Sequence, residues 1–63
     1  MPVVIIKMAE GRSAEQKKRL VHEITGVLVM TLEVPPEMVT ILIDELPKGN
    51  IGKSGMLLSE TRR

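Results

Sequence analysis

The stretch SAEQKKRLVHEITGVLVMTLEVPP, residues 13–36, decides the fold because it holds a helix together with its start and stop signals. Ser13 and Gln16 have the spacing of a capping box, in which the serine caps the helix and the glutamine reaches back to it. Five apolar residues then recur at helical spacing: Leu20, Ile24, Val27, Leu28 and Leu32. Pro35 and Pro36 cannot continue a helix, so the pattern predicts one over residues 14 to about 34.

A strand is predicted on each side of this helix. Residues 3–8 (VVIIKM) and 38–46 (MVTILIDEL) are rich in β-branched residues and almost uniformly apolar. That pattern is typical of strands covered on both faces. Residues 47–55 (PKGNIGKSG) carry three glycines, a proline and an asparagine, which indicates a turn and a C-terminal hairpin.

Strand, helix, strand is a β-α-β unit, so we expect an α+β fold with parallel strands and a right-handed crossover. All 63 residues are expected to form a single domain, residues 1–63. A ribbon-helix-helix DNA-binding dimer has similar elements, but there one strand is followed by two helices. The strand-like character of residues 39–46 argues against that alternative.

The small size of the chain predicts a homo-oligomer. A chain this short buries only about 60% of the surface that its unfolded form exposes. It has no cysteine and no aromatic residue, and one histidine, His22, cannot form a structural zinc site. One helix also covers only one face of a two-stranded sheet. We therefore expect a second copy to cover the other face.

Charge and hydropathy exclude several classes of function. Nine Lys and Arg against eight Asp and Glu give a net charge of +1, too balanced for binding nucleic acid through its phosphates. Apolar runs such as VLVM are too short for a signal-peptide core or a membrane span. We expect a cytoplasmic protein with no membrane partner, and neither a cofactor nor a metal ion is predicted.

The MP start before an apolar strand, the block EGRSAEQKKRL at residues 10–20 and the glycine-spaced hairpin resemble the 4-oxalocrotonate tautomerase family. The resemblance extends over nearly the whole chain. It implies protomers that pair into dimers with a four-stranded sheet, and three dimers that form a hexamer. It also implies an isomerase in which Met1 is removed and Pro2 becomes the base for keto–enol proton transfer in small unsaturated oxo acids. Arg12 would bind a substrate carboxylate, commonly in a neighbouring subunit's site.

The chemistry of these two residues agrees with the implied roles. The nitrogen of Pro2 is a non-basic amide behind Met1, but becomes a secondary amine once Met1 is removed. Burial and a nearby arginine both lower the pKa of such an amine, which suits a general base near neutral pH. Arg12 can bind two carboxylate oxygens at once and lies just before a helix N-terminus, which also favours an anion.

Two positions depart from the family pattern. Thr40 stands where the family has a second arginine that contacts the substrate, and Ile51 stands where it has a phenylalanine lining the pocket. We therefore expect weaker activity on a dicarboxylate enol, or a preference for substrates with one carboxylate. Lys53 and Arg62 of another subunit are the candidates for replacing the missing charge.

Two other functions stay open. One is an oligomeric binding protein of the same fold with little or no enzyme activity. The other is the related branch that hydrates or dehalogenates haloacrylates, but that branch uses a carboxylate which the hairpin lacks, so we disfavour it. His22 is expected to be a surface or interface residue rather than a catalyst.

Overall fold

Two parallel strands, a helix that connects them and a short hairpin make up the computed structural model, which describes residues 1–60. The strands and the helix are β1 (Val3–Ala9), α1 (Ala14–Leu32), β2 (Thr40–Leu46), β3 (Gly52–Lys53) and β4 (Met56–Leu57). β1 pairs with β2 in parallel, and β3 pairs with β4 in antiparallel orientation. This architecture confirms the predicted α+β fold, with its β-α-β unit and its C-terminal hairpin.

The helix and β2 differ from the prediction at their ends. α1 ends at Leu32 because Glu33 adopts a left-handed conformation, φ 57°, and its N–H caps the carbonyl of Val29 at 3.0 Å. β2 begins at Thr40 because Pro36–Met38 forms a single 3₁₀ turn. The fixed φ of proline suits the first position of such a turn.

The two faces of the parallel sheet differ in exposure. The register runs from Val3 opposite Thr40 to Ala9 opposite Leu46. On the face away from the helix, Val3, Ile5 and Leu42 are 52%, 60% and 50% exposed. On the other face, the alternate residues of β1 are half-buried. Within residues 1–60 no side chain is fully buried, so this single chain leaves one apolar sheet face uncovered.

Two ion pairs connect parts of the chain that are distant in sequence. Lys17 Nζ on the helix lies 2.8 Å from Glu45 Oε1 on β2, with both side chains about one-third exposed. Lys7 Nζ lies 3.0 Å from Asp44 Oδ2 between the neighbouring strands. The first pair attaches the start of the helix to the same end of the sheet at which β1 finishes. Within residues 1–60, no helix has both the length and the apolar content needed to cross a membrane.

The predicted capping box is confirmed and allows a stability prediction. Ser13 Oγ accepts the N–H of Gln16 at 3.1 Å, and the Ser13 N–H donates to Gln16 Oε1 at 3.0 Å. We expect Ser13→Ala to lower the free energy of unfolding by about 1 kcal/mol, because an N–H in the first turn loses its acceptor. Urea titration at one fixed protein concentration measures this change. Ser13→Asp keeps an acceptor and should retain most of the stability; an equal loss in both variants would contradict the capping role.

Candidate functional site

Pro2 and Thr40 meet at the end of the sheet where both parallel strands begin. The carbonyl of Pro2 accepts the backbone N–H of Thr40 at 3.1 Å, which extends the ladder one step before the pair Val3 and Thr40. Both Pro2 and Thr40 are half-buried, whereas Met1 is 79% exposed. The hydrogen bond fixes the backbone of Pro2 beside β2, and the residue before it projects into solvent.

Arg12 lies at the opposite end of the sheet, in the turn between β1 and the helix. The N–H of Glu10 donates to the carbonyl of Leu46 at 3.0 Å and so ties the start of this turn to the end of β2. Gly11 has φ +122°, a conformation that side-chain-bearing residues rarely adopt, and it redirects the chain toward the helix. Arg12 is exposed immediately before the N-cap Ser13 and forms no ion pair with any residue between 1 and 60.

Pro2 and Arg12 of one chain are therefore far apart. The seven residues of β1 separate them, and at ~3.3 Å per residue this strand alone spans about 20 Å. No small oxo acid is long enough to contact both residues in the same chain. If both act on one substrate, they must come from different chains.

Ile51 lies at the Arg12 end of the sheet. It follows the 3₁₀ turn Lys48–Asn50, and its carbonyl accepts the N–H of Leu58 at 2.8 Å. It lines a cavity of about 330 Å³ together with apolar residues of β1 and β2 and with Lys53, one of the two cations considered for the missing charge. The other candidate, Arg62, lies outside the described residues. His22 is exposed on the helix, and a shallow groove that it lines includes neither Pro2 nor Arg12.

A second cation stands beside Arg12 that the sequence analysis did not single out. Arg12 and Lys48 line one cavity of about 350 Å³. Parallel pairing puts the residues that follow β1 and β2 at the same edge of the sheet, but only the register of the two strands shows that Lys48 stands beside Arg12. The composition of residues 47–55 indicates only a turn, so it gives Lys48 no special role.

The sequence matches one protein family and several curated proteins over almost its whole length. Residues 2–61 match a family model described as tautomerase enzyme. The chain is 40% identical over 63 residues to a 2-hydroxymuconate tautomerase of Pseudomonas putida, and the match covers all of both chains. It is 37% identical over 60 residues to a probable tautomerase of Halalkalibacterium halodurans, covering 95% of this chain and 98% of that protein.

Solved structures agree with these sequence matches. A crystal structure described as a 4-oxalocrotonate tautomerase homologue superposes with a TM-score of 0.94 at 28% identity, covering both chains completely. A second such homologue has a TM-score of 0.88 at 34% identity, covering 97% of this chain and all of the other. A heterohexamer 4-oxalocrotonate tautomerase from Chloroflexus aurantiacus has a TM-score of 0.89 at 32% identity, covering 98% of this chain and 100% of its own.

Proposed function

The chain belongs to the tautomerase family, and we propose that it catalyses keto–enol proton transfer in small unsaturated oxo acids with the amine of Pro2 as general base. The family match confirms the enzyme class predicted from the sequence, an isomerase. The observation that carries the proposal is the position of Pro2, half-buried at the head of β1 and hydrogen-bonded through its carbonyl to Thr40. The exposed Met1 agrees with removal of that residue by a peptidase.

The proposed reaction needs a free amine at Pro2. Removal of Met1 converts the amide nitrogen of Pro2 into a secondary amine. The neutral amine takes the O–H proton of the enol, and the resulting ammonium group delivers a proton to a carbon of the conjugated chain. The amine is thereby regenerated, and the substrate gains a C–H bond and a carbonyl. General acid–base catalysis of this kind typically contributes about 10²–10⁴-fold to the rate.

Arg12 is proposed to bind the substrate carboxylate in a site whose Pro2 belongs to another chain. Its guanidinium has no ionic partner within residues 1–60, and it stands at a helix N-terminus that also favours an anion. The length of β1 supports a site in which the two residues come from different chains. The proposed active form is therefore an oligomer of single-domain chains, residues 1–63.

A homohexamer built as a trimer of dimers is the assembly we propose. The exposed apolar residues Val3, Ile5 and Leu42 form a sheet face that a neighbouring chain would remove from water. The lack of any fully buried side chain in residues 1–60 points the same way, because a protomer of this size gains stability from a partner. A solved relative described as a heterohexamer gives the precedent for six chains.

Thr40 and Ile51 are proposed to set the substrate preference. Thr40 lies beside Pro2 and offers one neutral hydrogen bond where an arginine would offer a charged one. Ile51 keeps the wall of its cavity apolar but has a different shape from the aromatic ring that the resemblance implies. The proposal is weaker activity on dicarboxylate enols, or a preference for one carboxylate.

Placing a positive charge at position 40 tests whether Thr40 sets the substrate preference. We expect Thr40→Arg to raise kcat/KM for 2-hydroxymuconate, a dicarboxylate, about tenfold or more relative to enolpyruvate, a monocarboxylate. The physical reason is that a charge-assisted hydrogen bond to the second carboxylate replaces a neutral one. Rates of enol disappearance with both substrates measure the ratio.

Thr31→Arg is the matched control, because Thr31 is exposed on the helix and the same charge is added there. It should leave the substrate ratio unchanged. If the unmodified protein already shows full, Arg12-dependent activity on the dicarboxylate alone, the preference for one carboxylate is wrong.

A further inference from the structure

Arg12 and Lys48 follow the C-terminal ends of the two paired strands, β1 and β2, and so lie at the same edge of the sheet. Their strands end at Ala9 and Leu46, which are register partners, and each residue follows within three positions. A hydrogen bond of 3.0 Å from the Glu10 N–H to the Leu46 carbonyl joins the start of the segment after β1 to the end of β2. The two cations therefore stand at one edge of the protein because of backbone pairing.

Backbone hydrogen bonds also fix the segment that contains Lys48. Lys48 opens a 3₁₀ turn, closed by the Asn50 N–H donating to the Pro47 carbonyl at 2.9 Å. The N–H of Ile51 donates to the carbonyl of Lys48 itself at 3.3 Å. These bonds fix the point from which the Lys48 side chain extends, on the cavity that it lines together with Arg12.

The cavity that the two cations share has the character of a carboxylate site. Its other walls include the apolar side chains of Met8 and Leu58, and its lining carries one acid, Glu10, against two cations. Neither cation forms an ion pair with another residue in the range 1–60. Two cations against one acid, with apolar walls alongside, favour binding of an anion with an apolar chain.

We propose that Lys48 is a second carboxylate-binding residue that acts on the same carboxylate as Arg12, an inference that rests on the proposed function. Both cations lie at one edge of one chain, about the length of β1 away from Thr40. Lys48 is assigned to the carboxylate that Arg12 binds, because the two cations line the same cavity of one chain, and not to the carboxylate that an arginine at position 40 would contact. It strengthens binding of any substrate that has a carboxylate, whether one or two.

Binding of two unreactive acids tests this assignment without turnover. Hexanoate and adipate both have six carbons but carry one and two carboxylates, and titration of the assembled protein lacking Met1, followed by NMR, gives a Kd for each. We expect Lys48→Met to weaken binding of both acids by a similar factor, about five- to tenfold. Lys48→Arg should restore most of the affinity. Lys18→Met, which removes the same charge from an exposed helix position, should change both Kd values less than about twofold.

Two results would overturn the inference. Unchanged binding in Lys48→Met would remove Lys48 from the site, and weakened binding of adipate alone would assign it to a second carboxylate. Circular dichroism and size-exclusion chromatography establish that each variant is folded and assembled. If wild-type protein shows no Pro2-dependent turnover but both acids lose affinity in Lys48→Met, the proposed function fails while the assignment of Lys48 stands.

Discussion

A synthetic chain that begins at Pro2 should isomerise 2-hydroxymuconate or enolpyruvate at least about 100-fold faster than a synthetic chain that retains Met1. The two chains differ by one exposed residue, and chemical synthesis of chains of 62 and 63 residues avoids dependence on a peptidase. The reason for the difference is that the Pro2 nitrogen is a basic amine in one chain and a non-basic amide in the other. Initial rates at equal concentrations of assembled protein measure it.

A Pro2→Ala chain that also lacks Met1 separates the base from simple access to the site. It keeps an N-terminal amine but loses the ring that holds this nitrogen in one orientation, so we expect a rate between those of the two other chains. Circular dichroism and oligomeric state should be the same in all three. Equal turnover with and without Met1 would remove Pro2 from the mechanism, and no turnover in any chain would favour the oligomeric binding protein.

Mixed oligomers should recover activity that neither parent variant has. Arg12→Met should lower kcat/KM about 10–100-fold, because a bidentate, charge-assisted contact to the carboxylate is lost. This variant, made without Met1, is refolded with an equal amount of the chain that retains Met1. The first chain supplies a free Pro2 amine and the second supplies Arg12, so random assembly combines the two in about a quarter of the sites. The rate should then approach a quarter of the wild-type rate.

The recovery follows from the fold. β1 separates Pro2 from Arg12 by about 20 Å in one chain, so a site that uses both must draw them from two chains. If the residues acted within one chain, the mixture would contain no intact site and would stay at the mean of its parents. Arg19→Met removes the same charge from an exposed helix position and should keep nearly full activity alone and in mixtures.

Local hydrogen bonds are the part of this structure that sequence reasoning predicts well. The capping box needs only Ser13 and Gln16, three residues apart, and it starts the helix where expected. The sequence predicts the end of the helix and the start of β2 less accurately, each by two residues. There, the left-handed Glu33 and the 3₁₀ turn at Pro36–Met38 compete with helix and strand over two residues.

The pattern of apolar and polar residues does not predict contacts between side chains that are distant in sequence. Nothing local in Lys17 and Glu45, 28 positions apart, indicates that their side chains meet at 2.8 Å. The same holds for Lys48, whose place beside Arg12 depends on the parallel register of the two strands. Such pairs become visible only when strand pairing is known, because the register decides which distant residues share an edge.

The sequence by itself determined the strands, the helix start and the hairpin, since each rests on neighbouring residues. Its resemblance to a known family singled out Pro2 and Arg12, and the chemistry of the two residues agrees with the implied roles. The tertiary structure alone decided which of them stand together. It brings Thr40 to Pro2 at one edge of the sheet and Lys48 to Arg12 at the other. The physical reason is that an extended strand holds its two ends apart, while parallel pairing brings the ends of different strands together.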